Sequence, residues 1–193
     1  MHSVITYQQR DPDLDDSPSV QNLLQQQAAM YDGSASSYDA ARFTDYPGRY
    51  DLLEAEVFIR ELNANVMRTL RQGWRALDVA CGNGKAAVTL AQTGGHVAAL
   101  DGSPQMLHHC RTRVIEAGVL ERLTVTKASA NFLPYREGTF DLVCSLRFPH
   151  LLPAPTYPEL IREMVRVTKP DGYVVVGVKN HWYGGAVYPV KDL

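Results

Sequence analysis

Residues 82–85, Gly-Asn-Gly-Lys, and the later Asp101 have the types and spacing needed to bind a small polar ligand. Gly82 and Gly84 tolerate a positive φ and let the backbone approach a ligand closely, because neither carries a Cβ. A helix beginning at the second glycine would point backbone N–H groups at that ligand. Asp101 follows about 17 residues later, where a carboxylate could meet the diol of a ribose. The pair predicts a site for a nucleoside-containing cofactor.

Alternating apolar strands and amphipathic helices must position these residues. We predict strands over residues 75–80, 96–100, 123–128, 140–145 and 173–178, and helices over residues 50–71, 85–92, 104–117 and 157–168. Strands that are apolar throughout and alternate with helices predict a mostly parallel sheet with helices on both faces. Such sheets bind ligands beyond the carboxyl ends of their strands.

Local signals set some of the boundaries. Ser103 precedes Pro104 and is therefore expected to cap the helix that ends before Gly118. The sequence 169–172, Lys-Pro-Asp-Gly, predicts a turn between the last helix and the last strand, in which glycine tolerates a left-handed conformation. Residues 1–27 are acidic and polar, and we expect a disordered tail there, followed by one domain over residues 28–193.

Composition excludes several classes of function. The chain has 193 residues, 45% of them apolar, and a net charge of −2 without a run of basic residues, so no nucleic-acid partner is expected. It has no apolar window of about 18 residues, so no membrane span is expected. The three cysteines are widely separated and odd in number, which predicts reduced thiols, and they form no CxxC pair, so no metal site is expected. The start of the chain lacks a basic region followed by an apolar run, so a cytoplasmic location is expected.

The glycine turn by itself allows other interpretations. Residues 82–87 also fit G-x-G-x-x-G/A, which would make the chain an oxidoreductase that binds a nicotinamide dinucleotide. A phosphate-binding P-loop fits less well, because the four-residue spacer before Gly-Lys and the following Ser or Thr are both missing.

Four motifs in order narrow the choice. They are Leu-Asp-Val-Ala-Cys-Gly-Asn-Gly at 77–84, Leu-Asp-Gly-Ser-Pro-Gln-Met-Leu at 100–107, Leu-Pro-Tyr at 133–135 before Phe-Asp-Leu-Val at 140–143, and Val-Thr-Lys-Pro-Asp-Gly at 167–172. Over roughly residues 28–179, this series resembles the class I S-adenosylmethionine-dependent methyltransferases, especially the small-molecule branch that includes the ubiquinone and menaquinone methyltransferases. The resemblance implies a Rossmann-like, doubly wound sheet and S-adenosylmethionine as cofactor.

The resemblance also assigns roles to single positions. It implies that the methionine part of the cofactor is surrounded by a turn of Asp78, Ala80, Gly82 and Gly84 and is also contacted by Arg147. It implies that Asp101 binds the ribose and that Gly102 and Met106 lie along the ribose and adenine. The adenine edge would be held by Ser129 and Ala130. The segment 31–39 resembles the paired Tyr-Asp segment of quinone-type members, in which Tyr38 would help close a lid.

Three positions depart from the family pattern. Ala80 replaces the usual first glycine, and we expect it to keep ordinary backbone angles. Gly102 stands where an apolar residue normally covers the adenine, and Ser129 stands where an acidic residue normally binds its amino group. Both changes are expected to weaken adenine recognition.

The acceptor is expected to be a small molecule whose methylated atom the sequence does not specify. His150 follows the fourth strand, where the family's acceptor pocket opens, and is the candidate general base. An apolar, partly aromatic pocket is predicted from Leu151, Leu152, Phe43, Tyr46, Trp182 and Tyr183. A second hypothesis is a non-catalytic methyltransferase-like subunit that acts through protein partners.

The predicted sheet has fewer strands than the sheet of the family it resembles. The family's last two strands form an antiparallel pair, for which the residues after Val178 leave little room. A fifth strand left uncovered would be an exposed edge that invites pairing with another chain. We therefore expect a homodimer through that edge or reduced stability. Light scattering that shows a stable monomer would contradict this expectation.

Overall fold

A computed structural model describes residues 22, 24–34, 62, 66–152 and 156–177 of the chain. Residues 24–34 are helical and are called α1. The remaining elements, in chain order, are β1 (Arg75–Val79), α2 (Lys85–Gln92), β2 (His96–Asp101), α3 (Pro104–Glu116), β3 (Leu123–Lys127), β4 (Phe140–Leu146), α4 (Tyr157–Val167) and β5 (Thr168–Gly177). Short 3-10 helices cover Met67–Thr69 and Pro149–Leu151.

The five strands form one sheet in the order β3-β2-β1-β4-β5, and all four neighbouring pairs are parallel. The chain therefore winds outward from β1 through β2 to β3, then crosses back to place β4 on the other side of β1. This reversal opens a crevice beyond the carboxyl ends of β1 and β4, which is where doubly wound sheets bind ligands. The predicted fold class is confirmed.

Each face of the sheet packs against helices through its own apolar cluster. Ala76 faces the side covered by α2 and α3, where Leu90 and Cys110 are completely buried. Leu77 faces the opposite side, where Met164 of α4 is completely buried. Successive residues of a strand point to opposite faces, so one apolar strand serves both clusters.

Most predicted boundaries lie within one or two residues of the observed ones. Ser103 caps α3 as predicted, and its hydroxyl accepts a hydrogen bond from the Met106 N–H at 3.1 Å. Pro104 is the first residue of α3, and Gly118 follows its end with φ +66°. Leu62 and Val66, from the predicted helix over residues 50–71, are buried. Most of that helix lies outside the described residues.

The turn predicted at residues 169–172 is wrong, because these residues belong to β5. The pairing of Phe140 with Thr168 is followed by that of Leu142 with Tyr173, so β5 bulges against β4. Gly172 does not have a positive φ. A Cβ there would lie 2.6 Å from the Thr168 Cγ2 and 3.0 Å from the Asp141 carbonyl oxygen. Crowding, rather than a left-handed conformation, accounts for this glycine.

α1 begins inside the segment predicted as a tail, since residues 24–27 are helical. Residues 1–21 lie outside the described residues, so the tail and the domain boundary at residue 28 stay predictions. In the described part of the chain, no helix is long and apolar enough to cross a membrane.

Asp78, the fourth residue of β1, is a buried acid that joins β1 to α2. Its carboxylate accepts a hydrogen bond from the Ala87 backbone N–H in the first turn of α2, and the Cys144 thiol donates to its Oδ1 at 3.7 Å. Its Oδ2 is buried without a hydrogen-bond partner among the described residues. Burial raises the pKa of Asp78 to about 7 from its usual 3.8. The residue supports the start of α2 at a cost in desolvation.

Replacing Asp78 with Asn should stabilise the protein above neutral pH. Between pH 3.8 and about 7 the folded state holds a proton on Asp78 that the unfolded chain releases. The stability of the wild type therefore falls as pH rises through this window, by up to about 1.4 kcal/mol per pH unit. Asp78→Asn keeps an acceptor for the Ala87 N–H and lacks this loss. In urea denaturation across this window, the free energy of unfolding of the variant minus that of the wild type should increase as pH rises.

Asp141→Asn is the matched control, with the opposite sign. Burial opposes ionisation of Asp141, but its bonds to the Lys169 ammonium and the Arg75 N–H hold its pKa below the usual value. Its stabilising effect is present above the unfolded pKa and is lost as pH falls. An Asp78→Asn variant whose stability runs parallel to that of the wild type would contradict the assigned pKa.

Candidate cofactor-binding site

The loop after β1 is shaped by two glycines with different roles. Gly82 has φ +53°, and a Cβ built on it meets no atom within 4 Å, so this side of the loop faces open space that a ligand can occupy. Gly84 has φ +81° and is the N-cap of α2. A Cβ there would lie 2.5 Å from the Cys110 Sγ. Gly82 leaves room for a ligand, whereas Gly84 allows α2 and α3 to pack closely.

Asp101 joins this loop to the end of β2. Its Oδ2 accepts a hydrogen bond from the Gly82 N–H at 2.8 Å, and its Oδ1 accepts one from the Ser103 N–H at 2.8 Å. Burial raises the pKa of Asp101, the N–H bonds oppose that rise, and the charge of Asp32 adds to it. Each carboxylate oxygen can accept more than one hydrogen bond. The carboxylate is thus fixed in position and can still accept bonds from two hydroxyl groups.

Two residues of the predicted site have strained backbone conformations. Ala80 has φ +56° and Arg147 has φ +60°, and they are the only non-glycine residues with positive φ in the part of the chain that the structure describes. The expectation that Ala80 keeps ordinary angles is therefore wrong. Such conformations cost about 1–3 kcal/mol each and cluster at functional sites. Here they directly follow β1 and β4, the strands that border the crevice.

Residues beyond β2 are covered by α1. A Cβ built on Gly102 would lie 3.5 Å from the Ala28 Cβ. The Asp32 carboxylate accepts hydrogen bonds from the Ser103 hydroxyl and from the Gln105 N–H, the latter at 3.0 Å. Sequence reasoning missed this role of Asp32, although the Tyr-Asp pair at residues 31 and 32 was a signal. α1 is thereby attached to the N-terminus of α3.

α1 also reaches the other side of the crevice. The Gln27 side-chain amide donates to the Leu151 carbonyl, which lies in the 3-10 helix after β4. His150 belongs to the same 3-10 helix, and its catalytic role stays a prediction. Arg147 lies between β4 and that helix, and its backbone N–H donates a hydrogen bond to the Gly177 carbonyl at 2.7 Å. α1 therefore crosses the carboxyl edge of the sheet from the β2 side to the β4 side.

The loop after β3 borders the site next to Asp101. The Ala128 N–H donates to the Asp101 backbone carbonyl at 3.1 Å, which continues the pairing of β3 with β2. Ser129 is exposed and Ala130 is buried. Sequence reasoning missed Asn131, whose side-chain N and O are both buried without a partner among the described residues. No sequence pattern marks it, because the signal is tertiary.

The remaining predicted residues are only partly placed. Met106 is the third residue of α3 and is fully buried. Its contact with ribose or adenine stays a prediction. Outside the described residues lie Tyr38, Phe43, Tyr46, Trp182 and Tyr183. Within the described part, no group of three or more His, Cys, Asp or Glu side chains could hold a metal ion.

Comparison with known proteins identifies the family. Residues 76–172, about half of the chain, match the family described as a methyltransferase domain. The chain is 34% identical over 135 residues to a demethylmenaquinone methyltransferase of Halalkalibacterium halodurans, covering 66% of this chain and 54% of that protein. It is 33% identical to the 27-O-demethylrifamycin SV methyltransferase of Amycolatopsis mediterranei, over 58% of this chain and 40% of that protein. The chain spans about half the length or less of these relatives.

Solved structures show the same fold. An S-adenosylmethionine-dependent methyltransferase from Aquifex aeolicus superposes with a TM-score of 0.59 at 23% identity, covering 84% of this chain and 80% of that one. The [4+2]-cyclase SpnF superposes with a TM-score of 0.66 at 22% identity, covering 80% and 59%. From the family match and the ordered motifs, the chain belongs to the methyltransferase domain family, the class I S-adenosylmethionine-dependent methyltransferases.

Proposed function

We propose that this chain transfers a methyl group from S-adenosylmethionine to a small-molecule acceptor. The observation that carries the proposal is the Asp101 carboxylate, which is fixed by the Gly82 and Ser103 N–H groups and keeps capacity to accept two hydroxyl bonds. It stands at the carboxyl end of β2, beside a loop with open space at Gly82. A ribose diol fits that carboxylate, and a charge-assisted pair of bonds is stronger than a neutral pair.

The strand order gives the cofactor a direction along the crevice. With the ribose on Asp101 of β2, the methionine part would lie on the β1 side, along Ala80, Gly82 and Gly84, and the base on the β3 side. The buried Asp78 stands behind the glycine loop and supports α2. We propose that Arg147 contacts the methionine part, that Gly102 and Met106 lie along the sugar and base, and that Ser129 and Ala130 border the base.

The cofactor, when bound, supplies a methyl group that its sulfonium already activates. The tasks left to the protein are to align the acceptor with that methyl and to exclude water. α1 crosses the carboxyl edge of the sheet and is suited to the second task. Lid closure by Tyr38 is proposed in addition.

Names of relatives support a small organic acceptor. Two relatives are named for demethylmenaquinone and for 27-O-demethylrifamycin SV, which are methylated by those proteins. We propose His150, in the 3-10 helix after β4, as the general base for an acceptor that must lose a proton.

Two further proposals concern assembly and location. Among the described residues, β5 pairs only with β4, so its outer edge could pair with another chain. We propose a homodimer through that edge. Cys81, Cys110 and Cys144 are free thiols in the structure, which supports the proposal of a cytoplasmic location. A nucleic-acid partner is not proposed, since the net charge of the whole chain is −2.

Thermal unfolding with cofactor tests the proposal. S-adenosylhomocysteine, the demethylated product, should raise the free energy of unfolding by about 2.7 kcal/mol at 100 times its dissociation constant, or the melting temperature by roughly 5–10 °C. Asp101→Asn removes the charge that the ribose hydroxyls meet, and should weaken binding by about 10- to 100-fold. At the same ligand concentration, the shift should then fall to between about half and about one sixth of the wild-type value.

Asp141→Asn, at the opposite edge of the sheet, is the control and should keep the full shift. A larger shift with a nicotinamide dinucleotide than with S-adenosylhomocysteine would instead favour an oxidoreductase. No shift with either ligand would favour a non-catalytic subunit.

His150→Ala should reduce turnover by about 100-fold if His150 is the general base. Turnover is measured as methyl transfer from radiolabelled S-adenosylmethionine to a panel of hydroquinones and phenols. The thermal shift with S-adenosylhomocysteine should stay unchanged, because the base acts on the acceptor. His108→Ala, an exposed histidine on α3, is the control. Equal turnover in the wild type and His150→Ala would reject the assignment.

A further inference from the structure

Ser145, in β4, is a completely buried polar residue at the place where β1 and β4 separate. The register of these two strands covers three pairs and ends with Asp78 opposite Cys144. Beyond that pair, β4 continues beside β5, and β1 continues beside β2. The Ser145 hydroxyl donates a hydrogen bond to the Val79 carbonyl at 2.9 Å. A side chain therefore joins the two strands beyond the last pair of their register.

This bond acts on the peptide that leads into the strained Ala80. The Val79 carbonyl belongs to the peptide between Val79 and Ala80, so its orientation is coupled to the φ of Ala80, which is +56°. Val79 and Ser145 are both completely buried, so a carbonyl that lost the hydroxyl would be left unpaired at a cost. The bond therefore favours the peptide orientation that gives Ala80 its left-handed angle.

The chain is tied to β2 immediately after Ala80. The Cys81 N–H donates to the Leu100 carbonyl at 2.9 Å, and the Gly82 N–H donates to the Asp101 carboxylate at 2.8 Å. Ala80 thus lies between one hydrogen bond to β4 and two hydrogen bonds to the end of β2. Loss of the bond to β4 would release the peptide before Ala80 and leave the bonds to β2 in place.

An alanine at position 80 makes the loop depend on this bond. Left-handed angles are unfavourable for a residue with a Cβ and easy for glycine, which the family usually has at this position. Without the Ser145 hydroxyl, the peptide between Val79 and Ala80 could turn, and Ala80 would populate ordinary angles. The loop after β1 would then spend less time in the conformation that the structure shows.

We infer that Ser145 is a positioning residue, which holds the peptide before Ala80 so that the loop after β1 can receive the methionine part of the cofactor. The inference rests on the function proposed above, in which that part lies along Ala80, Gly82 and Gly84. Ser145 acts through Val79 and not by contact with the cofactor. A protein whose binding-competent conformation is only partly populated binds with an affinity reduced by that fraction. The affinity for ligands that reach Ala80 therefore depends on Ser145.

Calorimetric titration of the full chain with two ligands tests this inference. S-adenosylhomocysteine carries the amino-acid part, and methylthioadenosine has the same sugar, base and thioether without it. Ser145→Ala should weaken binding of S-adenosylhomocysteine by about 3- to 20-fold, because the loop must regain its conformation to bind. Binding of methylthioadenosine should change by less than about 2-fold. The Asp101 carboxylate that meets its ribose is still held by the Ser103 N–H.

A second substitution separates positioning from a general loss of stability. Ala80→Gly removes the Cβ that opposes the left-handed angle, so the loop needs the Ser145 hydroxyl less. When both proteins carry Ala80→Gly, the effect of Ser145→Ala on the affinity for S-adenosylhomocysteine should shrink to within about 2-fold.

Thr168→Val, at the amino edge of the sheet, is the matched control. It removes another buried hydroxyl, which donates to the Met164 carbonyl at 2.7 Å, and it should leave both affinities unchanged. If Ser145→Ala does not fold, Ser145→Cys, which has a weaker donor of similar size, carries the same test.

Two outcomes would overturn the inference while the proposed function stands. In the first, the Ser145 variant binds S-adenosylhomocysteine as tightly as the wild type or loses affinity equally for both ligands. In the second, the loss is the same whether or not Ala80→Gly is present. If the wild type binds neither ligand, the inference and the proposed function fail together.

Discussion

The carboxylate of Asp101 is the interaction on which the site depends. By accepting one N–H from Gly82 and one from Ser103, it ties the loop after β1 to the start of α3. These loops come from neighbouring strands, so the sheet sets their separation. The Asp101 bonds fix their relative position together with the bond from the Cys81 N–H to the Leu100 carbonyl at 2.9 Å. A ligand hydroxyl that binds Asp101 meets a group whose position is already determined, and little ordering entropy is left to lose.

The same edge of the sheet concentrates features that oppose folding. Ala80 and Arg147 have left-handed backbone angles, Asp78 is buried with one oxygen unpaired, and Asn131 has an unsatisfied amide. Away from this edge, the two apolar clusters on the faces of the sheet pack in the ordinary way. The stability that these clusters provide offsets the strain and the unpaired groups at the edge where we propose that the cofactor binds, and such strain is common at functional sites.

The sequence predicted the strands and helices whose signals lie in neighbouring residues. Apolar runs of strand length and the Ser-Pro start of α3 located the elements, because periodicity and capping are properties of neighbouring residues. It did not predict the left-handed angle of Ala80, because alanine has no preference for that region and the angle is imposed by the loop between β1 and α2. The bulge at residues 169–172 was also missed, because pairing with β4 outweighed the local turn signal.

Asn131 and Asp32 were missed for a related reason, since their environments arise between distant segments. Asp32 acts on Ser103 and Gln105, about 70 residues later in the chain. The Tyr-Asp pair at residues 31 and 32 marks the segment but not its contact with α3, and a family pattern that assigns the adenine edge to positions 129 and 130 does not indicate the burial of residue 131. Asp32 reaches the start of α3 through the packing of α1, and Asn131 lies near Asp101 because β3 is the neighbour of β2.

α1 covers the crevice and also affects the ionisation of Asp101 beneath it. Its described polar contacts across the crevice are those of Asp32 with the start of α3 and of Gln27 with Leu151, and its Met30 is 59% exposed. Burial raises the pKa of Asp101, and the negative charge of Asp32 on α1 adds to that rise, so both make ionisation of this carboxylate less favourable. Hydroxyl groups bonded to Asp101, as proposed for the ribose, would offset both effects by stabilising the charged carboxylate.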